Sequence, residues 1–243
     1  MIDTSTSRAR TNGFTSTGRR IAAFCFVVVV GFLTFALPAI FLQTGHGGGY
    51  QGRNLALLGI IQLALVTAVL AAGLHILRKD FRDIGLRSDA WPRDVGLGVL
   101  AATLWALVQF GWLFPATGGA GREDIAGILS MVDGDWHNVL WYLPLGVLGG
   151  GVAEELYNRG FFITVLEEIL GRGRTATGIA ALLAIVFFAA GHLPGGWVDW
   201  MDILVPSAAY TGLFLYTRRL TAPIVAHAVW NVIAVAGITL VYG

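Results

Sequence analysis

Seven apolar stretches, each near the length of a membrane-crossing helix, constrain this chain more than any other feature of its sequence. A hydrocarbon core of roughly 30 Å is crossed by about 20 helical residues at about 1.5 Å each. Lipid offers no partner to backbone amides, so such segments are helices unless they close into a barrel. Their unbroken apolar runs lack the alternation of barrel strands. We therefore predict an all-α, polytopic transmembrane helix bundle of about seven spans, at 21–43, 55–77, 95–114, 139–160, 179–193, 203–217 and 224–242.

The composition excludes a water-soluble globular domain. Hydrophobic residues make up 56% of the chain and charged residues only 13%, and the mean hydropathy is +0.70. An ordinary soluble domain is about 25% charged. We expect a multi-pass integral membrane protein whose surroundings are the lipid bilayer, with no nucleic acid among its partners.

The distribution of Lys and Arg predicts the orientation. Thirteen of these residues lie in the tail 1–20 and in the loops after the second, fourth and sixth spans, whereas the other loops hold only Arg53 and Arg122. Because loops rich in Lys and Arg stay in the cytoplasm, the amino terminus is predicted to be cytoplasmic and the carboxyl terminus to lie outside. The tail 1–20, rich in Ser, Thr and Arg, is expected to be disordered and to touch anionic headgroups.

The spans divide into a scaffold part and a functional part within a single transmembrane domain, 21–243. Without their loops, the first three spans hold one ionisable residue besides Cys25, namely His75, and the region 21–114 is predicted to be scaffold. From 139 to 243 the spans carry carboxylates, an arginine, histidines and an asparagine. A charge at a span centre costs roughly 2.5 to 3.5 kcal/mol on insertion scales, so such residues usually face a bundle interior or a watery cavity. Function is therefore expected in 139–243.

Glu154, Glu155 and Arg159 are the charged residues of the fourth span. Glu155 and Arg159 are four residues apart and can form an ion pair on one helix face, while Glu154 is rotated by about 100° and is free for general-base chemistry. A structural ion pair with a helix-end carboxylate is the alternative. The preceding run 143–151 contains a proline and four glycines. These residues permit either a kink around a cavity or close helix packing.

Later spans contribute two histidines and an asparagine. His192 follows Phe188 by one helical turn, and His227 precedes Asn231 by one turn, so each pair shares a helix face. Taken singly, His192 is typical of an interfacial or packing residue, and the pair His227 and Asn231 is typical of interhelical hydrogen bonding.

In this order the three groups resemble the motifs of the CPBP family of intramembrane proteases, also called the Abi, bacteriocin-processing or type II CAAX endopeptidase family. The resemblance covers about 139–240 and has one departure, because the family commonly has an aromatic residue where this chain has Asn158. Packing around Arg159 could differ there, or Asn158 could join the polar cluster. The matching segments are Glu154-Glu155-Leu156-Tyr157-Asn158-Arg159-Gly160, Phe188 to His192, and Pro223 to Asn231.

The resemblance implies an intramembrane endopeptidase of the plasma membrane of a bacterium, acting on a peptide or protein in or at the membrane. It assigns water activation to Glu154 and His192, with Glu154 as general base. It assigns stabilisation of the developing oxyanion to His227 and Asn231. Three residues are expected to support the site: Glu155, Arg159 and Phe188. A prenylated carboxyl-terminal tetrapeptide, a bacteriocin leader and a membrane-bound regulator are all possible substrates.

No metal is favoured, because the sequence has no His-Glu-x-x-His pair. The alternative is zinc held by Glu154, His192 and His227, with a water in the fourth position. Two other functions compete with proteolysis: an ion- or proton-coupled transporter, in which intramembrane Glu, Arg and His are relays, and a non-catalytic bacteriocin-immunity protein.

The two histidines present a geometric difficulty. On straight helices with the predicted bounds, His227 lies near the cytoplasmic side and His192 near the opposite face. A common site requires one of two solutions. Either the fifth span starts later, with 161–174 lying along the cytoplasmic surface, or the helices tilt and kink to bring the motifs to one depth.

Overall fold

Eight helices make up the protein in a computed structural model that describes residues 5–243, with side chains from residue 17 onward. This part of the chain contains no strand, and the predicted all-α membrane bundle is confirmed. Residues 5–20, which the sequence predicts to be part of a disordered tail, are helical and continue into α1, and residues 1–4 lie outside the described part of the chain. The helices are α1 (Ser5–Gln43), α2 (Arg53–Leu77), α3 (Trp91–Ala116), α4 (Glu123–Val132), α5 (Trp136 to Ile169), α6 (Arg174–Gly191), α7 (Trp197–Thr217) and α8 (Thr221–Tyr242).

Five helices are long and apolar enough to cross a membrane: Thr17–Gln43 of α1, then α2, α3, α6 and α8. The other two predicted spans, 139–160 and 203–217, fall within α5 and α7, which carry buried polar side chains. The loop predicted between the third and fourth spans, residues 115–138, contains the short helix α4, which the apolar pattern did not predict. The fifth and sixth spans also begin earlier than expected, at Arg174 and Trp197.

Ion pairs connect the helix ends that the charge pattern predicts to be cytoplasmic. Glu168, at the end of α5, lies 2.9 Å from Lys79 Nζ and 2.7 Å from Arg172 Nη2. Arg219, just before α8, binds Asp94 at the start of α3 through two nitrogens, at 2.6 and 2.9 Å. The basic residues predicted to be cytoplasmic therefore meet at one end of the bundle, as a common orientation requires.

Helix α5 lies at the centre of the bundle, and small residues let its neighbours approach. The Cα of Gly59 on α2 faces the α5 backbone so closely that a Cβ there would lie 2.5 Å from Pro144 O. On the other side, a Cβ at Gly151 would lie 2.6 Å from the Cβ of Ala228 on α8. Every residue from Leu156 to Ile163 is buried. This packing fixes the side chains of the fourth span between α2 and α8.

Candidate active site

The middle of α5 is wound more widely than an α-helix. Its segments Leu145–Glu154 and Leu156–Ile163 are π-helical, between the α-helical ends Trp136–Pro144 and Thr164–Ile169. Such π turns are rare and are often found at functional sites. The glycine-rich run 143–151 serves both close helix packing and the formation of a cavity. Gly151 packs on α8, whereas Gly146 and Gly150 line the cavity. The widened turns present Glu154 and Glu155 in different directions.

Glu155 and Arg159 form the ion pair that their spacing predicts. Arg159 Nη1 donates to Glu155 Oε1 at 2.9 Å, and both side chains are 0% exposed. Arg159 Nη2 also donates to Ser207 Oγ at 2.7 Å, and its guanidinium lies 4.4 Å from the Phe188 ring centroid and 5.7 Å from that of Tyr210. The buried cation is therefore held by a carboxylate, a hydroxyl and two aromatic faces.

His227 is held in a fixed orientation by the same carboxylate. Its Nδ1 lies 2.8 Å from Glu155 Oε1, and its ring stacks on Tyr210 with centroids 5.1 Å apart. Because a carboxylate only accepts, Nδ1 carries the proton in this hydrogen bond. The other ring nitrogen, Nε2, is thereby directed at Glu154, with 4.0 Å between Nε2 and Glu154 Oε2. Glu155 was predicted to support the site, but its contact with His227 was not predicted.

The carboxylate of Glu154 faces the cavity instead of a partner cation. Its Oε2 is buried and has no hydrogen-bond partner among the described residues. A water in this cavity, which His192 and His227 also line, can donate a hydrogen bond of about 2.8 Å to Glu154 Oε2. The arrangement leaves one glutamate neutralised and the other available to take a proton.

His192 lies immediately after α6, where its ring packs on Phe188 with centroids 4.5 Å apart. Its Nδ1 is 2.8 Å from the carbonyl oxygen of Phe188. A carbonyl oxygen accepts, so Nδ1 carries the proton and Nε2 of the neutral ring is an acceptor. The role expected for Phe188 as a supporting residue is consistent with its position between His192 and Arg159.

One cavity of about 440 Å³ contains all four predicted catalytic residues in its wall: Glu154, His192, His227 and Asn231. Asn231 Nδ2 donates to Gly146 O at 2.8 Å, which fixes its amide at the wall. A smaller cavity of about 130 Å³ shares Glu154 and His192 and is otherwise mainly aromatic. Its wall includes Asn158, whose Nδ2 donates to Ala184 O at 3.3 Å, so this departure from the family pattern lies beside the polar cluster.

The depth difficulty is resolved by helix geometry. Residues 161–169 continue α5 and are mostly buried, and α6 begins at Arg174, so a later fifth span with 161–174 on the surface is wrong. Counting from the helix starts, straight helices would put His192 about 27 Å and His227 about 9 Å from the cytoplasmic ends. Both rings nonetheless contact Phe188, with centroids 4.5 and 6.0 Å away. The two rings therefore lie close enough for a common site, as the second predicted solution requires.

Several site residues were missed by the sequence analysis. Ser207 and Tyr210 on α7 share a helix face at spacing i, i+3, a polar pattern in an apolar span that could have indicated them. Gln62 is a buried amide in α2, and its Nε2 donates to Phe35 O on α1 at 3.3 Å. Helices α1 and α2, predicted as scaffold, thus also form the cavity wall. Tyr50 and Tyr142 complete it, and nothing in their sequence neighbourhood indicated this role.

The zinc alternative requires three donor side chains around one ion. Within the described residues, no three His, Cys, Asp or Glu side chains converge closely enough to hold a metal. Glu154 Oε2 and His227 Nε2 lie 4.0 Å apart, but no third donor of these types joins them among the described residues. These side-chain positions do not form a three-donor zinc site, and independence of a metal stays a prediction.

Residues 136–233 match the sequence model of the family described as "Type II CAAX prenyl endopeptidase Rce1-like". No curated protein and no solved structure matches the chain. The matched segment includes Glu154, Glu155, Arg159, His192, His227 and Asn231. The segment that holds these residues is thus similar to the type II CAAX endopeptidase family, as the motifs predicted, and this similarity indicates that the integral membrane protein is a protease.

Proposed function

We propose that this protein hydrolyses a peptide bond of a membrane-associated peptide or protein with a water activated by Glu154 and His192. The observation that supports this proposal most is the unpaired Glu154 Oε2, 4.0 Å from His227 Nε2 in a cavity that His192 and Asn231 also line. Peptide hydrolysis requires an activated water, stabilisation of an oxyanion and a proton for the leaving amine. The cavity offers a group for each of these steps.

The general base is Glu154. Its carboxylate accepts a proton from the bound water as the oxygen attacks the carbonyl carbon, and His192 Nε2 accepts the second hydrogen bond of that water and so orients it. The proton on Glu154 then passes to the amine nitrogen as the C–N bond breaks. One carboxylate thus takes and returns the same proton, which restores its starting state.

The oxyanion is stabilised from α8. The Asn231 amide donates to the carbonyl oxygen as negative charge develops, and His227 adds a second donor when Nε2 carries a proton. Glu155 is a positioning residue, because its contact with Nδ1 determines which ring nitrogen faces the cavity. Arg159 in turn neutralises and holds Glu155.

The substrate is proposed by class only. The name of the matched family refers to CAAX prenyl endopeptidases. The chemistry of this site requires an extended peptide segment that reaches a cavity within the membrane. The plasma membrane of a bacterium is the proposed location.

The test uses full-length protein in cells and in liposomes. Membrane peptides are compared by proteomics between cells carrying wild type, Glu154→Gln, Asn231→Ala and Glu123→Gln, where Glu123 is an exposed carboxylate outside the cavity. We expect peptides that appear with wild type and Glu123→Gln only. Their cleavage in liposomes should fall about 10²- to 10³-fold with Asn231→Ala, the cost of removing one oxyanion donor. Peptides that persist unchanged with Glu154→Gln would contradict the proposal.

A further inference from the structure

The catalytic cavity extends toward one end of the bundle only. Its wall contains residues from the carboxyl-terminal half of α1, from the loop after α1, from α4 and from the first half of α5. All of these segments belong to the half of the bundle that the charge pattern places away from the cytoplasm. The residues that these segments contribute to the cavity wall include Phe35, Ala39, Gln43, Tyr50, Met131 and Tyr142.

Packed hydrocarbon closes the opposite end. Below Glu155, the α5 residues Phe161, Ile163 and Val165 are each 0% exposed, and so are Ile84 and Leu220 from the neighbouring loops. These side chains belong to one hydrophobic cluster between the polar site and the cytoplasmic ion pairs. Tight packing of this kind leaves no path for water or an extended peptide.

The closed end carries the basic residues. The ion pairs of Lys79, Arg172 and Arg219 with carboxylates lie there. By contrast, the open end holds Arg122, which is buried and paired with Asp124 and Asp202. Loops rich in Lys and Arg are retained in the cytoplasm, so the open end is the non-cytoplasmic one.

We propose that the catalytic cavity opens to the non-cytoplasmic face of the membrane, so that its substrates are peptide segments that emerge from the bilayer on that face. The substrate statement rests on the proposed protease function, whereas the direction of the opening does not. A segment attached on the cytoplasmic side would have to cross the packed cluster around Phe161 to reach Glu154. An unstructured segment on the outer side meets Gln43 and Tyr50 at the rim and descends to Glu154 without displacing that cluster.

Cysteine accessibility tests the direction of the opening. Cys25 is the single cysteine, so Cys25→Ser gives a thiol-free parent. Three single cysteines are then introduced: Ala39→Cys in the cavity wall, Leu37→Cys on the lipid-facing side of α1 nearby, and Ser88→Cys in the exposed loop before α3. A membrane-impermeant maleimide is applied to intact cells and to inverted membrane vesicles, because maleimides react with thiolates that water reaches.

We expect Ala39→Cys to be labelled in intact cells and Ser88→Cys only in inverted vesicles. Leu37 is 59% exposed on a face that lipid covers, so Leu37→Cys should stay unlabelled in both preparations. Labelling of Ala39→Cys from inverted vesicles alone, or of Ser88→Cys from intact cells, would overturn the proposal. All three readouts are independent of catalysis.

The substrate statement has its own test in the peptides that depend on Glu154. We expect their new termini to map to segments of membrane or exported proteins on the non-cytoplasmic side. Termini confined to cytoplasmic segments would overturn the substrate class. If no peptide depended on Glu154, the protease function itself would fail, while the labelling result for the opening would stand.

Discussion

Gly150→Ala is predicted to disable catalysis while leaving the fold intact. Gly150 lies in the widened part of α5, where it lines the cavity. A Cβ at this position would lie 2.5 Å from Asn231 Nδ2 and 3.4 Å from His227 Nε2. Because only the tip of the Asn231 side chain obstructs the new methyl group, the amide can rotate away and the backbones of α5 and α8 keep their positions.

The size of the effect follows from that displacement. An ordinary van der Waals contact of about 3.5 Å requires the amide to move by roughly 1 Å. A misplacement of this size costs about 10²-fold in rate, or roughly 2.7 kcal/mol of transition-state stabilisation. The hydrogen bond from Asn231 to Gly146 O would be lost, with a net cost to stability of about 0.5–1.5 kcal/mol.

The assay measures kcat/KM for a substrate identified by proteomics, together with Tm in detergent. Gly212→Ala is the neutral control, because nothing lies within 4 Å of its new Cβ. Gly59→Ala is the packing control, because its Cβ would lie 2.5 Å from Pro144 O and 2.6 Å from Leu145 Cα, and such overpacking costs about 1–3 kcal/mol. Wild-type kcat/KM for Gly150→Ala would refute the reasoning, as would a loss of Tm as large as that of Gly59→Ala.

Three further predictions concern the buried ion pair, the cytoplasmic ion pairs and the metal. Glu155→Gln should lower Tm, because removing one partner of a buried ion pair costs about 3–5 kcal/mol. Adding Arg159→Met to Glu155→Gln should restore part of the Tm but not cleavage. An unchanged Tm in Glu155→Gln would contradict the structural role of the pair. Burial of Glu168 would raise its pKa, but hydrogen bonds from Lys79 and Arg172 outweigh that effect and lower the pKa below its ordinary value of 4.5. The stabilising contribution of the Glu168 carboxylate is therefore complete above pH 4.5 and is lost as the pH falls through the lower folded pKa. The fall of Tm below pH 4.5 should be shallower in Lys79→Met than in wild type. Identical Tm profiles for the two proteins would argue against this role of Lys79. Cleavage by metal-depleted protein in liposomes should resist chelators, whereas activity lost on chelation and restored by zinc would favour the zinc alternative.

The helices and the motifs were accessible from the sequence because their physical causes are local. Lipid penalises unpaired backbone groups wherever an apolar run of sufficient length occurs, so the spans could be placed without any tertiary contact. The spacing of Glu155 and Arg159 on one helix similarly predicted their ion pair, which the structure contains. The family resemblance predicted from the three motifs is confirmed by the match over residues 136–233. The catalytic roles of Glu154, His192, His227 and Asn231 stay predictions.

Contacts between distant helices could not be obtained in this way. The hydrogen bond between His227 and Glu155 joins residues 72 positions apart, and it depends on the rotation and tilt of α5 and α8. Sequence periodicity specifies which residues share a face of one helix, but not which faces of two helices meet or at what depth.

The amino-acid sequence by itself thus determined that the chain crosses the bilayer as helices, which end is basic, and which polar residues lipid would penalise. Only the tertiary structure decided that Glu155 orients His227 while Glu154 stays unpaired, and that the cavity opens at the end opposite the basic residues. The physical reason is that burial in lipid is a property of each segment, whereas a cavity exists only where packed helices diverge.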